Sequence, residues 1–361
     1  MSQHMVDIKN QAQELAYAQF GSKRLVGLQD VAIDLNRLNE PGIWAIIGSF
    51  EGAWLLLKFE KEIEITEEFS GDWQGVDPDS WTSSMSKTEY ETAVEGLRQH
   101  IAQGDVYQAN ICRVLTTKIR KEGFDIEGLA NLLTSQNPAP YSCVISVKKE
   151  AHERLTKDVS LVSASPELFL ERNNQTIVSS PIKGTGKIAT DLTDKDRAEN
   201  VMIVDLVRND LSRVCTTGSV EVPSLLEIQN HPGLVHLVST VQGELKANTS
   251  WVEIFGATFP PGSVSGAPKL SALKLIKKFE KSDRGPYCGA IGWINTKNNT
   301  AKIAVGIRTF WKDQEKLLFG TGAGITWGSD PVSEWQETEL KCATLFNVAS
   351  KTQPKFEPHD V

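Results

Sequence analysis

Lys183 lies in the segment PIKGT at residues 181–185, between a proline and a glycine turn. A lysine amine that is kept partly neutral can attack an electrophilic carbon, so this residue is a candidate nucleophile. A solvated loop lysine, or a lysine that binds an anion, would give the same local pattern. The GTGK at residues 184–187 resembles the end of a phosphate loop, but it lacks a serine or threonine after Lys187 and a glycine at position 181. The pattern therefore favours nucleophilic or anion-binding chemistry over a P-loop.

Two pairs of carboxylates have a spacing that could hold a cation. Glu334 and Glu337 lie three residues apart and Lys341 four residues further on, so a helix would place all three on one face. Asp196 and Glu199 are also one helical turn apart in another segment. Stacked carboxylates repel each other unless a cation binds between them or the face is solvated. Hard carboxylate oxygens suit Mg²⁺ and not zinc, so the sequence allows a magnesium site, with a solvated helix face as the alternative.

The elements that must position these residues mix helices with strands joined by short turns. Ser86 followed by Glu89 is typical of a capping box and predicts a helix that ends near Gly104. Helical periodicity also covers residues 192–214 and 333–350, and strand-like runs cover residues 159–163, 168–172, 176–179, 287–294, 301–310 and 316–320. Short turns between neighbouring strands favour hairpins, so the sequence predicts an antiparallel α+β fold.

The chain divides into three ranges. Residues 1–85 are β-rich and are expected to be integrated in the same fold as the rest of the chain. Residues 72–86, at the end of this range, are rich in Gly, Pro, Ser and Asp, and this composition predicts a surface connection. Residues 86–350 contain the candidate chemistry and are expected to form the catalytic domain. Residues 351–361 are expected to be a flexible tail.

The composition disfavours several classes of partner and site. A formal net charge of −8 argues against nucleic acid and anionic membranes as partners, because both bind basic surfaces. The five cysteines are widely spaced without a CxxC pair, which predicts reduced thiols and neither disulfides nor a zinc site. No apolar run approaches the ~20 residues of a membrane span, and the first residues lack the apolar core of a signal peptide. We therefore expect a cytoplasmic protein, with residues 1–4 as a possible cloning remnant.

Together, the polar and glycine-containing segments resemble the chorismate-utilising enzymes, which include component I of anthranilate synthase and of aminodeoxychorismate synthase, isochorismate synthase and salicylate synthase. The segments that carry the resemblance are GDVYQAN at 104–110, SASPE at 163–167, PIKGT at 181–185, DKDRAEN at 194–200, VDLVRNDL at 204–211, HLVS at 236–239, FPPGSVSGAPK at 259–269, AVGIRT at 304–309, GAGI at 322–325 and SEWQETELK at 333–341. The resemblance runs from about residue 86 to residue 350. It implies large antiparallel β-sheets packed as a sandwich with helices outside.

The resemblance implies that several acidic residues act on the substrate. Chorismate carries two carboxylates and a 4-hydroxyl that must be protonated to leave, and Glu167 matches the general acid of the family. Glu199, Glu334 and Glu337 match the positions that hold Mg²⁺ against the ring carboxylate. A bound cation would also explain how an acidic protein binds an anionic substrate. His236 matches a histidine near the ring and completes the catalytic set.

A second set of residues is expected to bind the substrate. Arg308 and the backbone amides around Gly322, Ala323 and Gly324 match the region that binds the enolpyruvyl carboxylate, a planar anion suited to a guanidinium group. Lys341 matches a lysine near the metal and the substrate. The remaining substrate-binding positions are Gln108 and Thr185.

Two positions distinguish the members of the family. Members that add water at C2 carry a lysine base where this chain has Gln108, and an amide cannot take a proton from water. Anthranilate synthases usually have alanine where this chain has Lys183, whereas aminodeoxychorismate synthases have lysine. The resemblance therefore implies attack of Lys183 on C2, displacement by ammonia at C4 and formation of 4-amino-4-deoxychorismate for 4-aminobenzoate and folate synthesis. Anthranilate synthesis is the alternative and isochorismate synthesis is less favoured.

Two further features bear on this interpretation. The family usually follows Lys-Gly-Thr with arginine, whereas Gly186 and Lys187 follow here, which shifts a positive charge by one position. No cysteine lies in a recognisable nucleophile setting with histidine and glutamate, so the chain does not encode its own ammonia source. A separate glutamine amidotransferase subunit, in a heterodimer, is the expected ammonia donor.

Overall fold

The computed structural model describes residues 15–65, 69, 71–119, 124–231 and 234–351. The prediction for residues 1–4 lies outside the described residues, and so does the predicted tail at 351–361 except for Lys351. The strands within these ranges, β1 to β18 in chain order, are Ala16–Phe20, Lys23–Ala32, Ile43–Gly48, Trp54–Glu64, Thr82–Ser83, Gln108–Lys118, Tyr141–Val147, Val159–Ser165, Leu168–Asn173, Thr176–Ser180, Ile182–Gly186, Glu221–His231, Leu234–Glu244, Gly266–Ala267, Ala290–Asn295, Thr300–Val305, Thr309–Asp313 and Lys316–Ile325. The α-helices, α1 to α6, are Lys87–Ala102, Ile126–Gln136, Asp194–Ser212, Trp251–Thr258, Lys269–Phe279 and Pro331–Ser350.

The strands pair in two antiparallel ladders that share β4. The first ladder runs β6–β18–β17–β8–β7–β1–β2–β4, with the short strands β5 and β14 also paired to β6. The second runs β4–β3–β15–β16–β9–β10–β13, and β11 and β12 also pair with β13. The N-terminal strands therefore lie in the middle of the sheet. The prediction of an antiparallel α+β fold is confirmed.

Besides sharing β4, the two ladders are connected by two crossovers of the chain. The chain passes from β8 in the first ladder to β9 in the second, and Glu167 lies in this crossover. It returns from β16 to β17, and Arg308 lies in the return. Backbone hydrogen bonds hold the two crossovers together, from Val305 N to Glu167 O at 3.0 Å and from Ala164 N to Arg308 O at 3.0 Å. The fold thus brings two predicted site residues together at the point where the ladders exchange strands.

The main hydrophobic core lies between the two ladders. It contains Leu25 and Ile145 from the first ladder and Ile177 and Ile303 from the second, and all four side chains are fully buried. Complete burial of a side chain of this size contributes about 1.5–3 kcal/mol relative to an exposed one. Since both ladders contribute to one core, residues 16–64 and the later strands stabilise each other.

A second hydrophobic cluster lies beneath α2 and α6, and part of the predicted surface connection packs into it. Most of residues 72–86 are exposed or half-exposed, as expected, but Trp73 and Val76 are buried in this cluster. The Trp73 indole Nε1 donates a hydrogen bond of 2.6 Å to the carbonyl of Ala349 at the end of α6. The apolar residues of this connection thus fill the space beside α6, which the composition of the segment does not reveal.

The predicted helices and strands agree with the structure except at their ends. The capping box before α1 is present, because Ser86 Oγ accepts from Glu89 N and Glu89 Oε2 accepts from Ser86 N. The single strand predicted at 301–310 is two strands, since the crossover at 306–308 interrupts it. Within the described residues, no helix has the length and apolar character needed to cross a membrane.

Candidate active site

Glu167 is placed by the first crossover with its carboxyl group in the interior. The side chain is 4% exposed, and the hydroxyl of Ser165 donates to Val305 O at 2.7 Å and fixes the turn. Burial raises the pKa of Glu167 to about 7, although a hydrogen bond with Ser263 and the charge of Lys183 act in the opposite direction. A carboxyl group with this pKa is partly protonated near neutral pH, so it can serve as a general acid.

Lys183 lies on β11 at an irregularity in the pairing with β13. The register shifts between Ile182, opposite Val238, and Thr185, opposite His236, and Gly184 has a φ of +90° there. Burial lowers the pKa of Lys183, against the opposing effect of the Glu199 carboxylate. The bulge therefore turns an amine with increased neutral character towards the interior.

Gln108 begins β6 and is fully buried. Neither its amide nitrogen nor its amide oxygen has a hydrogen-bond partner among the described residues, and the side-chain oxygen of Asn110 lacks one as well. Buried polar atoms are nearly always paired, so these amides are available to bind water or a polar ligand. A Cβ on Gly324 would stand 2.6 Å from Gln108 Nε2 and 3.2 Å from Lys183 Nζ. Gln108, Lys183 and Gly324 therefore converge on one point.

His236 and Arg308 line a cavity of about 200 Å³ together with Pro166, Leu234 and the loop at 135–140. His236 is 2% exposed, and its Nδ1 lies 2.8 Å from Thr185 Oγ1, which fixes the plane of the ring. Burial lowers the pKa of Arg308, whose φ of +52° is imposed by the second crossover. A cavity with a guanidinium group and an imidazole at its wall can receive a small anion.

The acidic residues lie on two helices that meet at this side of the molecule. Glu199 is on α3, and Glu334 is on α6, with side-chain exposures of 14% and 5%. Burial raises the pKa of both carboxyl groups. Lys195 Nζ lies 3.8 Å from Glu199 Oε1 and 3.8 Å from Glu334 Oε1, so one ammonium group contacts both helices.

Glu337 and Lys341 form an ion pair one turn further along α6. The Lys341 Nζ to Glu337 Oε1 distance is 2.5 Å, and the same ammonium group donates to the carbonyl of Gly322 at 3.2 Å. Burial acts to raise the pKa of Glu337, but the charge and hydrogen bond of Lys341 outweigh it and lower the pKa. Lys341 thus connects the acidic helix face to the strand that contains Gly322 and Gly324.

The donor chemistry of Glu199, Glu334 and Glu337 fits Mg²⁺. Within the described ranges, no group of three or more His, Cys, Asp or Glu side chains stands together as metal ligands. Mg²⁺ commonly takes only one or two protein carboxylates, with water and substrate oxygens as its other ligands. The negative charge of Glu337 raises the pKa of both Glu199 and Glu334, so the three carboxylates interact. A cation that also binds a substrate carboxylate would relieve this repulsion.

Asp196 has a different role from the one expected, and two residues near the site were missed. Asp196 does not belong with the acidic group, because its carboxylate accepts from Thr193 N at 2.8 Å and Thr193 Oγ1 at 2.7 Å and caps α3. The side chain of Ala323 is in the core, which leaves only its backbone for binding. Ser263 and Lys195 contact the site but were not singled out. The Thr-x-x-Asp spacing before α3 could have indicated the cap.

Comparisons with known proteins show the family of the chain. A family model described as chorismate binding enzyme matches residues 54–347, and the family resemblance inferred from the motifs is thereby confirmed. Component 1 of anthranilate synthase from Aquifex aeolicus (strain VF5) is 34% identical over 280 residues, which cover 74% of this chain and 54% of that protein. Aminodeoxychorismate synthase component 1 from Klebsiella aerogenes is 35% identical over 271 residues, which cover 72% of this chain and 57% of that protein. The chain thus spans about half the length of these relatives.

The fold is shared with a solved structure of low sequence identity. The menaquinone-specific isochorismate synthase MenF from Escherichia coli superimposes with a TM-score of 0.75 at 18% identity, over 92% of this chain and 88% of that one. At this identity the likeness concerns the fold alone.

Proposed function

We propose a function for this chain from the premise that it belongs to the chorismate binding enzyme family. The chain aminates chorismate at C4 and releases 4-amino-4-deoxychorismate. The observation that carries this proposal is the position of Lys183, whose amine lies with the Gln108 amide against the backbone of Gly324. A partly buried amine with a lowered pKa can act as a nucleophile, whereas the Gln108 amide cannot take a proton from water. Amine attack is therefore favoured over the addition of water.

The reaction is written as two displacements. In the first, the lone pair of Lys183 Nζ forms a bond to C2, the two ring double bonds shift towards C4, and the C4–O bond breaks while Glu167 protonates the leaving hydroxyl. In the second, ammonia attacks C4, the double bonds shift back, and the C2–N bond breaks and returns the amine of Lys183. The attacking ammonia loses one proton to Glu167, so chorismate and ammonia give 4-amino-4-deoxychorismate and water.

The other residues of the site bind and orient the substrate. The Arg308 guanidinium and the backbone of residues 322–324 bind the enolpyruvyl carboxylate, and His236, held by Thr185, lies beside the ring. Glu199, Glu334 and Glu337 would hold Mg²⁺, which when bound neutralises the ring carboxylate and polarises the ring. Lys341 positions Glu337 against the strand that contains Gly322. In this assignment residues 86–350 form the catalytic domain and residues 1–85 complete the same fold.

Ammonia comes from a separate glutamine amidotransferase subunit in a heterodimer. All five cysteines of the chain are buried, whereas a glutaminase nucleophile has to be a reachable thiolate. The names of the two relatives, both component 1, are consistent with a second component.

Anthranilate formation is the second candidate. It is supported by the anthranilate synthase relative, because the identities to the two named relatives differ by a single percentage point, 34% against 35%. In that reaction ammonia would attack C2 directly and Lys183 would bind an anion.

Product analysis distinguishes the two candidates. Purified protein is incubated with chorismate, MgCl₂ and an ammonium salt, and the products are separated by liquid chromatography with mass detection. We expect 4-amino-4-deoxychorismate, which becomes 4-aminobenzoate when its lyase is added. Fluorescent anthranilate in the absence of a lyase would overturn the assignment.

The role of Lys183 is tested in the same assay by substitution. Lys183→Ala should abolish formation of 4-amino-4-deoxychorismate, while Lys187→Ala, which removes an exposed lysine four residues on, should leave it unchanged. Without ammonia, the peptide that contains Lys183 should gain the mass of chorismate less one water. An unmodified peptide in a protein that still consumes chorismate when ammonia is added would contradict covalent attack.

A further inference from the structure

Lys195 contacts one carboxylate on each of the two acidic helices of the site. Its ammonium nitrogen lies 3.8 Å from an oxygen of Glu199 on α3 and 3.8 Å from an oxygen of Glu334 on α6. Among the ion pairs of the described residues, Lys195 is the cation that contacts carboxylates of both helices. It extends from the first turn of α3, two residues after the N-cap Thr193, whose capping box is completed by Asp196.

The two carboxylates need a cation between them. Glu199 and Glu334 are 14% and 5% exposed, so little water screens their charges or the repulsion that each has with Glu337. Without a positive charge, one of them would have to bind a proton or the helices would have to separate. The ammonium group of Lys195 supplies this charge in the structure.

We infer that Lys195 is a resident counter-ion of the divalent metal site, which holds α3 and α6 together without metal and is displaced when metal binds. This inference rests on the metal site of the proposed function. Lys195 thereby lowers the affinity of the site for metal, because each binding event has to break its two ion pairs. A divalent cation and an ammonium group cannot both lie between the same two carboxylates without strong repulsion.

The side chain of Lys195 can move away from the two carboxylates. It is 52% exposed, and a compact ammonium group on a four-carbon stem can swing into water without uncovering the core. Lys341 differs, because it also donates to the carbonyl of Gly322 and is therefore tied to β18. Of these two lysines, only Lys195 can be exchanged for a metal ion at little structural cost.

Metal titration of the full chain tests the inference. Lys195→Met removes the charge but keeps a long side chain that favours helix. The variant should bind divalent metal roughly 5- to 30-fold more tightly than the wild type. Calorimetric titration with MgCl₂, or titration with MnCl₂ followed by electron paramagnetic resonance, measures the affinity. Lys195→Arg should bind metal more weakly than the wild type, because a guanidinium fork can bridge both carboxylates. Arg208→Met, on the same helix, removes one charge from an exposed pair with Asp205 and should change the affinity by less than about twofold.

Thermal unfolding provides a second, independent readout. Without metal, Lys195→Met should unfold a few degrees lower than the wild type, and saturating Mg²⁺ should close this difference. Unchanged or weaker metal binding by Lys195→Met, with normal binding by the wild type, would overturn the inference and leave the proposed function intact. If the wild type shows no saturable metal binding, the metal site of the proposed function fails. If Lys195→Met is also as stable as the wild type without metal, the role of Lys195 as a counter-ion is overturned as well.

Discussion

Lys183 and Gly324 face each other across the candidate site, and a Cβ on Gly324 would stand 3.2 Å from Lys183 Nζ. The same point is 2.6 Å from Gln108 Nε2. Because residue 324 is a glycine, the space that a side chain would occupy there is left for the Lys183 amine and the Gln108 amide. The glycine on β18 is a part of the amine pocket, and not merely a flexible residue in a strand.

Gly324→Ala should lower the rate of amination because the added methyl group must displace Gln108 or Lys183. A displacement of this size costs roughly 10- to 100-fold in turnover when the displaced group is the nucleophile. Steady-state product formation measures the loss, and circular dichroism checks that the fold is retained. Gly328→Ala is the matched control, since no atom lies within 4 Å of a Cβ at that position. Equal rates for both variants would contradict the proposed pocket.

Gln108→Met should stabilise the protein while it weakens substrate binding. The substitution keeps the length of the side chain and removes two buried amide atoms without partners among the described residues. Loss of that desolvation penalty should raise the free energy of unfolding by about 1 kcal/mol. The dissociation constant for chorismate should rise roughly 10-fold, since a bound ligand would lose its hydrogen bonds. Gln99→Met, at an exposed glutamine, is the control. Urea unfolding measures the stability of each variant, and calorimetric titration measures its affinity for chorismate.

If Glu167 acts in its protonated form, the rate of amination at a fixed concentration of free ammonia should fall as the pH rises through about 7, because burial raises the pKa of Glu167 to about 7. Glu167→Gln should lower the rate by roughly 100-fold or more and remove this limb of the pH profile. Glu171→Gln on β9, at a partly exposed carboxylate, should keep both the rate and the profile. A wild-type profile that is flat between pH 6 and pH 8.5 would argue against Glu167 as the acid.

The same group makes a prediction for stability. Because its pKa is higher in the folded chain than the ordinary 4.5, the folded state binds the proton more tightly. The contribution of Glu167 to stability is therefore present at low pH and is lost as the pH rises from about 4.5 to about 7. Urea unfolding at both ends of this window should show that Glu167→Gln, which cannot ionise, is less sensitive to pH than the wild type.

Arg284→Met should destabilise the fold through a buried carboxylate. Arg284 is 1% exposed and donates to Glu280, to Val264 O at 2.9 Å and to Asn110 O at 3.0 Å. Removal of the guanidinium group leaves Glu280 unpaired in the interior, which costs about 3–5 kcal/mol. Urea unfolding should give this loss, and adding Glu280→Gln should recover part of it. A loss as small as that of an exposed ion pair, about 1 kcal/mol or less, would contradict the prediction.

The sequence predicts the parts of the structure that depend on neighbouring residues. The capping box of Ser86 and Glu89 and the shared helix face of Glu334 and Glu337 follow from spacings of three residues, and the structure has the helices that these spacings require. Contacts between distant segments are not encoded in this way. The bridge of Lys195 depends on how α3 and α6 are placed, and the approach of Gly324 to Lys183 depends on how β11 and β18 are placed. No local pattern reveals either arrangement.

The pairing of β6 with β18 has a consequence for how the enzyme is made. Roughly 200 residues of chain separate the two strands, which are paired along their whole length. Contacts between segments so far apart form late and slowly, because a long loop has to close before they are made. A growing chain on the ribosome therefore contains Lys183 and Glu167 long before it contains β18, the strand that faces Lys183. Lys183 stays without the strand that faces it until β18 has been synthesised and has joined the sheet.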